Sequence, residues 1–381
     1  MPTPSSAAPV QPDGKGAPGP DVMLQDIRRQ PRVLSSILDR REEIARFAAD
    51  HLDPRASGRL HAFGSGDGWF AARAAFHGTG AVATSGLDFL LNVAPTLGPD
   101  DRAVAISMSG NVDRTLEGAE AALARGAGLS VLTNGEGGRL GALGGPRLSL
   151  DIADLAPFLC GTSSYTATAA VLGFLARRED HLTRATTDAL PSFIEEADRV
   201  CREVASATAG PRAEEGGEEG GASVPGIRFL GVGQSLAAAD YGAAKCVEVT
   251  TIPAWSDDIE EFAHRQYWSM KRGEIVVLLP VDAASAPYAD ATADALGRLG
   301  TPTLAIGPAE AATSRARHRI TTPGTKAEAW LGQAVALQLL SYRLGIANGT
   351  DPNRRLHLKN DVERFAVSRR LTRLSLLGTG A

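Results

Sequence analysis

Residues 227–264, IRFLGVGQSLAAADYGAAKCVEVTTIPAWSDDIEEFAH, carry the reading on which the rest of the chain depends. The stretch opens with a short apolar run, Ile227 to Leu230, that reads as a buried strand. A glycine turn, Gly231-Val232-Gly233, follows, then an Ala-rich run from Ser235 to Val249 with strong helix propensity. Strand, glycine turn and helix start are how an open α/β sheet offers backbone N–H groups to a ligand at its carboxyl edge. Lys245 and Glu248 stand three apart and share a helix face, with Tyr241 four before Lys245 on that face. The bland reading of such a pair is a surface ion pair. Its place after a ligand-type turn, and the Glu-x-x-His segment Glu261 to His264 downstream, favour a functional one.

The same pattern stands earlier in the chain. Strand Leu60–Phe63 enters the turn Gly64-Ser65-Gly66-Asp67-Gly68, and a helix follows from Trp69. A dinucleotide fold is the alternative here, with Asp88 at a suitable distance, but the turn lacks the third glycine of that fingerprint. The next motif points elsewhere. Strand Val104–Ile106 runs into Ser107-Met108-Ser109-Gly110, and a helix follows from about Val112 or Asp113. A hydroxyl-rich loop at a helix N-terminus binds phosphate oxygens through serine hydroxyls, backbone N–H groups and the helix dipole. A serine that only caps the helix is the alternative. Further strands are expected over 129–133, 148–152 and 303–306, and an apolar helix opens from Gly-Thr-Ser-Ser within 157–176.

The pattern restarts at 227, so the chain contains an internal repeat: LHAFGSGDGWFAARAAF parallels IRFLGVGQSLAAADYGA, and VAISMSG parallels VVLLPVD (276–282). The second copy has Pro280 and Val281 where the first has serines; it has lost the hydroxyl loop and gained Lys245, Glu248 and His264. A helix over roughly 189–208 and a Gly/Glu-rich linker over 210–226 separate the copies. The expected order is a disordered segment over 1–20, a helical leader over 21–55, domain 1 over 56–209, the linker, domain 2 over 227–346 and a basic tail over 347–381. The run 326–345 reads as an amphipathic helix closed by Gly345.

The chain has 381 residues and a formal net charge of −5. Two domains with sizeable cores fit this length, and the charge argues against a nucleic-acid or anionic-membrane partner. No eighteen-residue apolar run is present, and the first residues lack a secretory h-region. Three widely spaced cysteines, Cys160, Cys201 and Cys246, suggest reduced thiols and a cytoplasmic protein. No cysteine/histidine spacing or carboxylate cluster calls for a metal, and no cofactor is expected.

The block at 227–264 resembles the sugar isomerase (SIS) domain family, most closely the isomerase half of glucosamine-6-phosphate synthase. That family carries Lys-x-x-Glu on the helix of its second SIS domain and a His sixteen residues past the Glu, which fall on Lys245, Glu248 and His264 without a gap. Its Gly-Thr-Asp…Arg-x-x-x-Lys tail is matched by Gly349-Thr350-Asp351, Arg355 and Lys359 after one deletion. Its Ser-Gln-Ser-Gly-Glu-Thr loop is met in part. Ser107, Ser109 and Gly110 remain and Thr115 matches a later Thr, but Met108, Asn111 and Val112 depart, with Arg114 a possible substitute donor.

The resemblance implies two αβα sandwiches with parallel, flavodoxin-like sheets and a homodimer whose His reaches the partner subunit's site. It implies a sugar or sugar-phosphate ligand touching Gly64, Ser65 and Gly66, residues 107–110, Thr115, Ser163 and Ser164. In aldose–ketose interconversion, His264 suits ring opening, Glu248 the proton transfer between C1 and C2, and Lys359, with Lys245, the enediolate oxygens. A desolvated lysine can also form an imine, the route by which deaminases and deglycases resembling this family lose nitrogen. Within these 381 residues no glutaminase domain is expected, so glutamine-dependent synthesis by this chain alone is not expected. A non-catalytic sugar-phosphate sensor is the rival from another class.

Overall fold

The computed structural model describes residues 21–156, 159–208, 224–353 and 362–373. The segments expected to be disordered or linking, 1–20 and most of 210–226, lie outside the described residues. The leader is helical: α1 (Val22–Arg28), α2 (Gln30–Asp39) and α3 (Arg41–His51), with Pro31 in the first turn of α2, where its missing N–H has no partner to lose.

The first sheet is built from β1 (Leu60–Gly64), α4 (Asp67–Phe76), β2 (Val82–Ser85), α5 (Gly86–Asp88), β3 (Arg102–Ile106), α6 (Asp113–Ala124), β4 (Gly128–Thr133), α7 (Gly138–Gly141), β5 (Arg147–Ser149) and α8 (Ser163–Leu175). A long helix, α9 (Arg184–Thr208), follows. The second sheet is built from β6 (Ile227–Gly231), α10 (Gln234–Thr250), β7 (Ala254–Asp258), α11 (Ile259–His264), β8 (Ile275–Leu279), α12 (Ala286–Gly297), β9 (Thr303–Pro308), β10 (His318–Thr322) and α13 (Ala329–Ala347). The helix α14 (Val362–Arg373) lies against α6.

Both sheets are wholly parallel, in the orders β2-β1-β3-β4-β5 and β7-β6-β8-β9-β10. The two orders are the same once each half is numbered from its own first strand, so the repeat seen in the residues is a repeat of topology. It is the flavodoxin-like order, with the reversal between the first and third strands, and not the dinucleotide order.

Strands covered on both faces need apolar residues at every position, and β8 supplies them. Ile275, Val277 and Leu279 face a central core, while Val276 and Leu278 face an outer one. In β3, Val104 and Ile106 face the centre, and Ala103 and Ala105 the outer layer. The central core is continuous through both halves, because α4 and α8 on one sheet meet α10 and α13 on the other. The one cation in β6, Arg228, is buried against Glu274 (2.8 Å) and stacks on Trp255, with its guanidinium 4.4 Å from the ring centre.

Two expectations change. The helix expected over 326–345 is not amphipathic: every residue of α13 from Ala329 to Tyr342 is buried. It is enclosed by α9, α10 and the second sheet, and therefore needs no polar stripe. Gly345 lies inside this helix instead of closing it, and packs closely there, since a Cβ would stand 3.1 Å from Val249 Cγ1. The second change concerns α9, which begins at Arg184 and packs on α13 and β10 of the second sheet, so the chain has crossed over before the linker.

Candidate active site

Gly64 and Ile106 are register partners at the carboxyl ends of β1 and β3, where the strand order reverses. The two turns singled out in the sequence therefore leave the sheet side by side. Gly66, at φ 55°, caps α4 in a backbone conformation that L side chains rarely adopt. Gly68 presses on the other strand end, since a Cβ there would lie 2.9 Å from Ile106 Cγ2.

In the second turn, Ser107 is buried and its Oγ accepts from the Gly110 N–H (3.1 Å), so this serine shapes the loop. Met108 packs against the central core and its Sδ accepts from the Thr168 hydroxyl at 3.6 Å. Ser109 is exposed, with its Oγ accepting from the Asn111 N–H (3.3 Å). Thr115, in the first turn of α6, is buried, and its hydroxyl has no partner among the described residues. Arg114 pairs with Glu117. Gly110 holds φ 63°, and a Cβ there would fall 1.6 Å from the Gly137 carbonyl oxygen. Gly110→Ala is therefore expected to cost about 1–3 kcal/mol or more. A lowered urea midpoint checks this, and an unchanged one would mean that the loop shifts freely.

The chemistry-bearing cluster lies next to these turns. The first residue of α4, Asp67, accepts from Lys245 Nζ at 3.0 Å, and Glu248 pairs with the same ammonium. The Lys245 side chain is 3% exposed, against 31% for Asp67 and 21% for Glu248. The ammonium is thus enclosed while both carboxylates keep solvent-facing surface. Burial alone would pull Lys245 toward its neutral form, but Asp67 and then Glu248 outweigh it and hold its pKa above the ordinary lysine value. Lys245 Nζ also lies 5.5 Å from the centre of the Tyr241 ring, which stacks on Tyr165 at 3.6 Å. Burial, then Asp67, raises the pKa of both phenols, so they remain neutral donors. An imine needs a neutral, reachable amine, so this geometry argues against that route for Lys245.

The Gly-Thr-Ser-Ser cluster closes the site from the other side. A Cβ on Gly161 would lie 2.3 Å from Asp67 Oδ2 and 3.3 Å from Ser164 Oγ. Gly161 and Ser164 also line a cavity of ≈ 250 Å³ shared with Asp26, Arg29 and Ser163. Ser163, the first residue of α8, is taken up by the leader. Its N–H and hydroxyl donate to Asp26 (2.8 and 3.0 Å), and its Oγ accepts from Arg29 (3.1 Å).

A fully buried relay extends the hold. Thr166 donates to Gln30 (2.7 Å), Gln30 to Gln338 (2.8 Å), Gln338 to the Tyr241 hydroxyl (3.0 Å), and that hydroxyl to the Gly161 carbonyl (2.9 Å). The leader thus fixes the loop beside Asp67.

Other expected site residues fall elsewhere. His264 ends α11, 64% exposed, with Nε2 3.1 Å from Glu260, and no described contact joins it to Lys245 or Glu248. Lys359 and Arg355 lie outside the described residues. The second sheet's matching loop is occupied structurally, since Asp282 takes hydrogen bonds from Ser285 and Lys326. Lys326, then the Ser285 bonds, hold the Asp282 carboxyl down at about 2 despite some burial. Among the described residues, no His, Cys, Asp and Glu group is placed to hold a metal ion. No described helix is long and apolar enough to cross a membrane.

No protein-family model matches the chain, and no curated protein matches it by sequence. Solved structures match it in fold over nearly their whole length. Glucosamine-6-phosphate deaminase from Thermotoga maritima superposes with a TM-score of 0.65 at 18% identity, covering 84% of this chain and 96% of that one. Tagatose-6-phosphate ketose/aldose isomerase from Escherichia coli gives 0.69 at 19% identity, with 89% and 96% covered. The C-terminal domain of glucosamine-fructose-6-phosphate aminotransferase from Francisella tularensis gives 0.68 at 16% identity, with 87% and 97% covered. The two parallel, flavodoxin-like sheets expected from the resemblance are the fold found, and it is the fold of these structures.

Proposed function

We propose that the chain is an enzyme that isomerises a sugar phosphate by moving a proton between C1 and C2 of the open-chain form, with Glu248 as the base. The observation that carries this is the anchoring of Glu248, through Lys245 and Asp67, at the strand edge that also holds the Ser107–Gly110 loop. A base must be fixed and partly accessible, and a carboxylate hung on an enclosed ammonium is both. The loop and the N-terminus of α6 take the phosphate, with the exposed Ser109 as donor. Ser65 and Ser164 take sugar hydroxyls. By resemblance, Lys359 stabilises the enediolate, and His264 opens the ring in the partner subunit of a homodimer; the exposure of His264 in its own chain fits that arrangement.

The same proton transfer with loss of nitrogen is the second reading. It is favoured by the fold shared with a glucosamine-6-phosphate deaminase. The test is incubation with ketose, aldose and amino-sugar phosphates in D2O, following deuterium at C1/C2 and release of ammonia or amine. Exchange without nitrogen loss supports the isomerase, and exchange with it the deaminase or deglycase. Binding without exchange on any of them would leave a sensor. Within this reading, Ser109→Ala is expected to raise KM for the phosphorylated substrate about tenfold, the value of one hydrogen bond to a charged group. An unchanged KM would mean that the loop holds something other than phosphate.

A further inference from the structure

Glu248 and the turn that would hold the substrate belong to different halves of the molecule, and only a few polar contacts join them near the site. Asp67 makes one of these. It is the first residue of α4, immediately after Gly66, so its carboxylate is placed by the same backbone that forms the ligand turn. Its Oδ2 lies 3.0 Å from Lys245 Nζ on α10, and that ammonium also holds Glu248. The position has a twin. Gly66 (φ 55°, ψ −124°) and Gly233 (φ 57°, ψ −120°) cap α4 and α10 in the same conformation, and the residue that matches Asp67 in the second turn is Gln234. The fold needs no carboxylate at this register.

We infer that Asp67 is a positioning residue that, by sharing the Lys245 ammonium with Glu248, sets both where that carboxylate stands and how basic it is. The inference rests on Glu248 being the base. Two carboxylates on one ammonium oppose each other's ionisation, so Asp67 keeps Glu248 a stronger base than Lys245 alone would leave it. Among the described residues, the titratable groups recorded around the cluster include Cys160 and Tyr165 around α8, Arg73 on α4, paired with Asp240, and Tyr241 on α10 itself. The two phenols stay neutral across the working range because burial raises their pKa values, and Arg73, though burial lowers its pKa, stays charged because a guanidinium starts far above that range. Asp67 also stands against Gly161, where a side chain would collide with its carboxylate, so the start of α4 and the loop before α8 are both built for this close approach.

The test uses Asp67→Asn, which keeps an acceptor for Lys245 and removes the charge, beside Lys245→Met. In the full-length protein with ¹³C-labelled glutamate, the Glu248 carboxyl, assigned by its loss in Glu248→Gln, is followed by NMR against pH. Its titration is expected to move about one unit lower in Asp67→Asn and higher in Lys245→Met. With a substrate in hand, the acid limb of kcat should move the same two ways, with a lower plateau in Asp67→Asn. A role confined to packing would move neither curve in opposite directions. Superposable titrations in Asp67→Asn and wild type, or a shift upward, would overturn the inference. The expected NMR shifts in a protein that exchanges no deuterium into any sugar phosphate would instead overturn the catalytic reading and leave the coupling standing.

Discussion

Glu248→Gln is expected to abolish deuterium uptake at C1/C2 and to lower kcat by about 10²–10⁴-fold, while the phosphorylated ligand still binds. Glutamine fills the same volume and still offers an oxygen to Lys245, so the ion-pair site loses charge without losing shape. The carbon acid loses its base, because an amide cannot accept a proton at working pH. Binding survives because it rests on other residues, namely Ser109 and the N-terminus of α6, whereas Glu248 stands on α10. The measurement is deuterium incorporation in single turnover beside ligand-induced thermal stabilisation. Exchange at the wild-type rate would remove Glu248 from the chemistry and with it the proposed reaction.

The interior strands were legible because a parallel sheet covered on both faces has no choice of residue. The segments IRFLG, IVVLL and RAVAI are buried at every position, and largely apolar runs ending in a glycine, proline or serine turn announce them. Three of the four edge strands were not. β2 is VATS, β7 is AWSDD and β10 is HRITT, each at a sheet margin and only partly buried. A strand held from one side can carry acids and hydroxyls, and β7 does so by pairing Asp257 with Arg265. Its two acids make a strand assignment unattractive from propensity alone.

The site was legible in part for a related reason. Lys245 and Glu248 share one helix, where spacing decides contact, so their pairing could be read along the chain. Asp67 meets Lys245 across 178 positions, and no periodicity encodes that. The available signal was the internal repeat: laid on its twin turn, Asp67 stands where the second copy has Gln234, an ionised group beside a ligand turn without local need. The relay Thr166–Gln30–Gln338–Tyr241 was hidden for the same reason, since a glutamine opening the amphipathic α2 and another inside the apolar α13 read as unrelated until both are found fully buried and hydrogen-bonded to each other.

Lys245→Met is expected to destabilise the protein by about 3 kcal/mol at pH 8, because it removes a buried cation and leaves Asp67 and Glu248 facing one another. The pH dependence separates this cause from lost packing. In the wild type the folded-state pKa of Lys245 is raised, so its stabilisation is fully present below the ordinary lysine value and is lost only as pH rises through the elevated one. Across pH 5 to 8 it is therefore constant. In the variant, the unscreened carboxylate pair binds a proton more readily folded than unfolded, so stability rises as pH falls. The deficit against wild type should be largest near pH 8 and narrow toward pH 5, read from urea midpoints in a matched buffer series. Adding Asp67→Asn and Glu248→Gln to Lys245→Met should recover much of the loss, since neutral amides need no counter-charge. A deficit of equal size at both pH values, unrelieved in the triple variant, would assign the cost to the methionine's fit, and the lysine would no longer be the anchor that joins the two halves at this site.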